Sequence, residues 1–217
     1  MVQQPERMSD GDPTTRLVPK NPGNSRGRAT LERLSLAALE VAEREGVEAT
    51  TVDAICLVAG CSRRTFFHHF PSRDAALLGP AVPIVRPEAV AHYLAETIPI
   101  LAGAIDLVDI PDEMSPLSPL GGRRHALLHS SPRLRAAARE RMSPAATTVL
   151  VAVTAKLAQL PDLDAEEIRP IALAVTTIAA ALIQSAYTDG DNDPSETLRR
   201  LAPIWPRLNY SAPPPAD

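Results

Sequence analysis

Aromatic side chains are scarce in this chain. They make up 3% of its 217 residues, with one Trp and three Phe. A core built without them must be aliphatic, and the frequent Ala and Leu suit packed helices. Cysteine is nearly absent as well. With only Cys56 and Cys61, a disulfide scaffold is excluded and a reducing cytoplasm is the expected location. A surplus of positive charge is missing too. A net charge of −4 argues against a protein that coats nucleic acid indiscriminately, so any DNA reader here must gather its cations locally. Positions 1–12 lack the apolar run of a secretory leader. No Gly-rich phosphate loop, nucleophile elbow or notable carboxylate pair is present, so neither an enzyme nor a cofactor is expected. Residues 170–188 carry no charge and are long enough for a membrane span. Thr176, Thr177, Gln184 and Ser185 within them, and acidic clusters on both sides, favour a buried helix of a soluble protein with no membrane partner.

The scarce phenylalanines are not scattered. Phe66, Phe67 and Phe70 fall together in residues 59–74, AGCSRRTFFHHFPSRD, beside His68, His69 and three arginines. Gly60 after an apolar helical run reads as a helix stop, and Ser62 reads as the N-cap of the next helix. Pro71 ends that helix. Two helices joined by a short Gly-containing turn form the helix-turn-helix pattern. At about 100° per residue, Phe66 and Phe70 point the same way, with Arg63 and His69 at their flanks. The opposite face carries Arg64, Thr65 and His68, with Phe67 on its edge. Such a face holds the donors needed at base edges and phosphates. Within this stretch three arginines stand against one aspartate.

These residues resemble the helix-turn-helix of the tetracycline-repressor (TetR) family, whose pattern is approximately A-G-V-S-x-x-T-[LF]-[YF]-x-H-F-x-[ST]-[KR]-[DE]-x-L. Cys61 replaces the usual Val, and Phe67 stands where a Tyr often donates its hydroxyl to a phosphate. The resemblance implies a DNA-binding regulator. The expected DNA-binding set is Thr51, Ser62, Arg63, Arg64, Thr65, Phe67, His68, His69 and Arg73. Arg64, Thr65 and His68 are expected at bases. Ser62, Arg63, His69 and Arg73 are expected at phosphates.

Along the chain, residues 1–28 lack any apolar period and read as a disordered tail, whose Arg26 and Arg28 could form a basic arm. Residues 29–78 read as the DNA-binding domain: a first helix capped by Thr30, a second capped by Thr50 or Thr51, the reading helix, and a fourth begun at Ser72. Residues 79–210 read as a helical regulatory and dimerisation domain, and 211–217 as a second disordered tail. In the regulatory part, one helix bent at Pro99 is expected over 88–108, then a loop, then a short helix over 123–130. A long helix opens at Ser131-Pro132 and kinks near Pro144, and a capping box at residues 164–167 opens another. No strand is expected. The fold class is therefore all-α.

The helix over 172–182 is apolar on every side and must be covered on every side. Ala172, Ala179 and Ala186, and Ala174 and Ala181, at seven-residue spacing, with Leu182, Leu201 and Trp205, form the expected contact of a homodimer, which the resemblance also implies. It implies a small-molecule effector as well. Tyr93, Thr97, His125, His129, Met142, Thr147 and Thr154 are the polar or soft groups that could line its pocket. His125 and His129, four apart, could hold a metal, but nothing nearby completes a site, so no metal is expected. A repressor that binds a pseudo-palindromic operator in double-stranded DNA and is released by an apolar or amphipathic molecule is the leading expectation. A constitutive DNA-binding or adaptor protein and a helical metal or haem binder are the alternatives.

Overall fold

A computed structural model of the protein describes residues 25–189 and 194–203. Among the described residues the order is α1 (Ser25–Glu45), α2 (Val52–Ala59), α3 (Arg63–His69), α4 (Arg73–Leu78), β1 (Ile84–Val85), α5 (Pro87–Ala95), α6 (Ile100–Asp106), β2 (Val108–Asp109), α7 (Pro119–Ser130), α8 (Pro132–Leu157), α9 (Ala165–Asp189) and α10 (Pro194–Leu201). The all-α expectation holds. The two strands were not foreseen; they pair antiparallel over two residues each, Ile84 with Asp109 and Val85 with Val108. The chain divides into two compact units, Met1–Val82 with Pro119–Pro144, and Pro83–Ser118 with Ala145–Asp217. A simple cut near residue 79 misses this, because residues 119–144 return to the first unit.

In the first unit, α1 lays Leu31, Leu34, Ala38, Val41 and Ala42 into the core, and α2 and α4 pack against it. Phe66 and Phe70 are wholly buried in the same cluster, with ring centroids 6.0 Å apart. Burying one such ring contributes about 1.5–3 kcal/mol. Leu127 of α7 and Leu134 of α8 close the cluster from the later part of the chain. Polar ties accompany them. Arg123 reaches Glu43 with two hydrogen bonds of 2.7 Å, and Ser131 donates to Glu48 at 2.8 Å. The Arg123 hydrogen bond holds the Glu43 carboxyl below its ordinary range.

Two expectations about the start of the chain need correction. Helix α1 begins at Ser25, so Thr30 does not cap it; its hydroxyl donates to the Arg26 carbonyl one turn back, at 2.9 Å. Arg26 and Arg28 therefore ride on helix rather than on a free arm. The rest of the expected first tail, residues 1–24, and the whole of the second, 211–217, lie outside the described residues.

In the second unit, the helix expected over 88–108 is two helices. Helix α5 ends at Ala95 and α6 starts at Ile100, with Pro99 at its N-cap. Proline has no amide hydrogen to carry a helix ladder through that point. Tyr93 is buried with its ring against Gly103, and its hydroxyl donates to the Ile100 carbonyl at 3.1 Å. Burial pushes that phenol up to about 12. Lys156 of α8 donates to the carbonyls of Leu94 and Glu96 at 3.2 and 2.7 Å, which satisfies the C-terminal end of α5. Helix α9 opens as the capping box requires, with the Asp164 amide donating to Glu167 at 3.1 Å, and packs on α6 and α10.

Candidate nucleic-acid interface

The reading head is assembled by caps. The Thr51 hydroxyl accepts from the Ala54 amide at 3.1 Å, Ser62 from Thr65 at 3.1 Å and Ser72 from Ala75 at 3.1 Å, so α2, α3 and α4 each start on a side chain. Such a cap contributes about 1 kcal/mol to a helix. Gly60 ends α2 in the left-handed conformation, φ 61°, and its amide and that of Cys61 donate to the Leu57 and Cys56 carbonyls. This is a Schellman turn. It redirects the chain straight into Ser62 and α3, and no residue is spent on a loop.

Helix α3 then turns Phe66 and His69 inward and leaves Arg64, Phe67 and His68 exposed, with Thr65 half-buried. The Ser62 and Thr65 hydroxyls lie 2.9 Å apart. Arg64 and His68, one turn apart, project on the side away from the Phe66–Phe70 pair. An arginine there can give two parallel hydrogen bonds to a guanine edge, and an imidazole can give or take one.

Two other expected contact residues already have partners, and a third is buried. Arg63 donates to Asp53 at 2.7 Å and lies over the Phe67 ring, 5.7 Å from its centroid. It ties α3 to α2 across the turn. Arg73 donates to the carbonyls of Glu48 and Thr50 at 3.3 and 3.0 Å and to Asp74 at 3.0 Å, with its side chain 16% exposed. It fastens α4 to the segment ahead of α2, and this corrects its expected role at a phosphate. His69 is buried, and burial followed by the neighbouring His68 holds its imidazole below the ordinary 6.5. Its inward, buried ring is turned away from where a phosphate would lie.

The local charge is therefore smaller than the count of arginines implies. Of the three arginines in residues 59–74, Arg63 pairs with Asp53 and Arg73 with Asp74, and Arg64 is exposed with no acidic partner among the described residues. Asp53 escaped the sequence reading because it lies ten positions before Arg63, across the turn, where helical spacing carries no signal.

Residues 36–78, the span from α1 to the end of α4, match the family model described as bacterial regulatory proteins, tetR family. Over these residues the chain is similar to the tetR family of bacterial regulatory proteins, and the three helix caps, the Schellman turn and the aromatic pair all fall within the matched span. The HTH-type transcriptional regulator TcmR of Streptomyces glaucescens is 39% identical over 70 residues. That match spans 31% of this chain and 31% of TcmR, so the kinship with it rests on less than a third of either protein.

The remaining expected site residues are divided between the two units. Tyr93 is core, as described, and Thr97, Thr147 and His129 are exposed. His125, His129 and Met142 belong to the first unit, whereas Tyr93, Thr97, Thr147 and Thr154 belong to the second. The Thr154 hydroxyl donates to the Leu150 carbonyl one turn back. His125 and His129 face each other with Nε2 atoms 3.2 Å apart, and no group of three or more metal-binding side chains occurs among the described residues. The second unit holds a cavity of about 490 Å³ that none of these residues lines. Ile105, Leu107, Ile110 and Ile183 give it an apolar wall, and Arg86 and Asp109, joined at 2.9 and 2.5 Å, sit at its edge with Asp106.

The expected dimer residues are corrected in part. Ala172 and Ala179 are buried within the unit, in a stripe with Thr176 and Ile183. Ala174 and Ala181, the other expected pair at that spacing, are exposed, in a stripe with Leu173 and Thr177. Leu182, Ala186 and Leu201 are half-buried, and Trp205 lies outside the described residues. Residues Ala165–Ala186 are long and apolar enough to cross a membrane by length and composition, with a mean hydropathy of 1.5.

Proposed function

We propose that the protein is a transcriptional regulator that reads a pseudo-palindromic DNA operator as a homodimer and is released by a small apolar or amphipathic molecule. The observation that carries the DNA reading is helix α3: Arg64 and His68 project from a helix whose position is fixed by caps, by the Arg63–Asp53 tie and by two buried rings. Bases are read by Arg64, Thr65 and His68. Phosphates are left to Ser62, Thr51 and the backbone amides at the helix starts.

The homodimer draws support from α9, which exposes Leu173 at 56% beside Ala174, Thr177 and Ala181 on an otherwise apolar helix. A face of this kind is costly to leave in water. The cavity beside α6 and α9 supports a small ligand: about 490 Å³ lies in the range of sites for compact organic molecules, and its wall is largely aliphatic. A ligand lowers DNA affinity only by its differential affinity for the DNA-bound and free forms.

Selection of bound duplexes from a random pool tests the DNA reading and yields the site. Enrichment of a two-fold symmetric sequence is expected. A pool that emerges as random as it began would overturn the proposal.

A further inference from the structure

The Schellman turn between α2 and α3 places two particular positions side by side. In this motif the third residue from the helix end and the second residue beyond its cap touch. Here those two residues are Cys56 and Cys61, both free thiols. The Cys61 amide donates to the Cys56 carbonyl at 3.0 Å, which holds the two residues together across the turn. Cys56 is 6% exposed, whereas Cys61 is half-buried and open to a small reagent. The next residue is Ser62, the N-cap of the reading helix. Nothing in the DNA reading just proposed uses either sulfur.

We propose that Cys56 and Cys61 form a thiol–disulfide site in the turn of the reading head, oxidised by small peroxides, and that closing the disulfide lowers DNA affinity. The consequence for DNA rests on the DNA-binding reading above; the chemistry at the two sulfurs does not.

Access sets the order of events. The Cys61 thiolate attacks one oxygen of the peroxide, the O–O bond breaks, and the departing oxygen leaves as water after taking a proton. Cys61 is then a sulfenic acid. The Cys56 sulfur attacks the Cys61 sulfur, the S–S bond forms, the S–O bond breaks, and the hydroxyl leaves as water with the Cys56 proton. Two thiols are oxidised by two electrons while one peroxide becomes two waters. Burial, followed by the neighbouring Cys61, pushes the Cys56 thiol up to about 11, with Asp53 adding to the rise and Arg63 opposing it. That disfavours Cys56 as the first nucleophile and leaves it protonated beside its target. Because a backbone hydrogen bond already holds the two residues together, ring closure is intramolecular and competes well with a second peroxide.

The bond then tightens the turn. A disulfide holds its sulfurs about 2.05 Å apart, closer than any contact of two thiols. The turn that carries Cys56 and Cys61 must adjust to that separation, and Ser62 is covalently attached to Cys61. Helix α3 is seven residues long and is entered through this cap, so its outward side chains shift with it.

The full chain suffices for the test. Trypsin cuts after Arg44 and Arg63, so both cysteines fall in one peptide, residues 45–63. After peroxide and thiol blocking, that peptide is expected to be lighter by about two hydrogens and unalkylated. Operator affinity should fall at least about tenfold and return with dithiothreitol, while Cys61→Ser and Cys61→Val variants bind as the reduced parent does and ignore peroxide. A peptide whose cysteines are alkylated or oxidised separately overturns the site. A disulfide that forms with DNA affinity unchanged, or an equal loss in the two variants, overturns its consequence. A reduced protein that binds no duplex at all would count against the DNA reading instead, and the peptide mass would still decide the chemistry.

Discussion

The guanidinium of Arg124 lies flat against the backbone of Gly79, so close that a Cβ built there would sit 2.4 Å from its central carbon. The same arginine is 6% exposed and donates to the Ser35 hydroxyl at 2.9 Å. One side chain of α7 thus touches the end of α4 and the middle of α1.

Gly79→Ala should be destabilising for two separable reasons. The residue has φ 82° and ψ 179°, a conformation that is essentially glycine's alone and costs other residues about 1–3 kcal/mol. The added methyl must also displace the buried guanidinium. Urea denaturation should show a loss of at least about 1 kcal/mol, part of which an accompanying Arg124→Ala change recovers by removing the clash. A Gly79→Ala protein as stable as the parent contradicts this account.

Arg64→Ala and Arg73→Ala should fail in opposite ways. Arg64 is exposed, so its loss should leave stability within about 0.5 kcal/mol while costing about 1–3 kcal/mol of specific DNA binding. Arg73 holds two carbonyls and Asp74, so its loss should cost about 1–3 kcal/mol of folding stability. Denaturation curves and duplex titrations on both variants are enough to decide. Equal stabilities would return Arg73 to the surface.

His69 should make the protein less stable in mild acid. Its folded pKa lies below the ordinary 6.5, so between the two values the unfolded chain binds a proton that the native one does not. The stabilisation is complete above pH 6.5 and is lost as pH falls through the lower folded value. Comparing His69→Phe with the parent from pH 7.5 to pH 5 should flatten this part of the profile. Parallel profiles would remove His69 as its cause.

A charge on the exposed stripe of α9 tests the dimer. Leu173→Glu or Thr177→Glu should give a folded monomer with weakened operator binding, because one reading head reaches only half a site. Sedimentation that still finds a dimer would move the contact off this helix.

The reading head was the most legible part of the sequence, for a local reason. Gly60, Ser62, Ser72 and Pro71 each act on neighbours within four residues, and Phe66 and Phe70 reveal the buried face by spacing alone. What escaped was non-local. The ties Arg63–Asp53, Arg73–Thr50 and Arg123–Glu43 join residues 10, 23 and 80 positions apart, and no periodicity announces them. The same blindness left the two sides of α9 undivided. Ala172 and Ala179, like Ala174 and Ala181, had the spacing of a helix contact, and small residues suit the inside of a unit as well as the meeting of two chains. Tyr93 misled in a simpler way: a buried hydroxyl aimed at the Ile100 carbonyl looks, in sequence, like any polar group on an apolar helix.

The Arg63–Asp53 pair has a consequence for how such a protein can be retuned. Asp53 lies on α2, outside the reading helix, and its carboxylate engages the exposed Arg63 guanidinium at 2.7 Å. Removing that one carboxylate would add a cation to the surface beside α3 and leave every side chain of α3 as it is. Grip on the duplex and choice of sequence would then be governed by different positions, so promoter occupancy could rise or fall without a new operator.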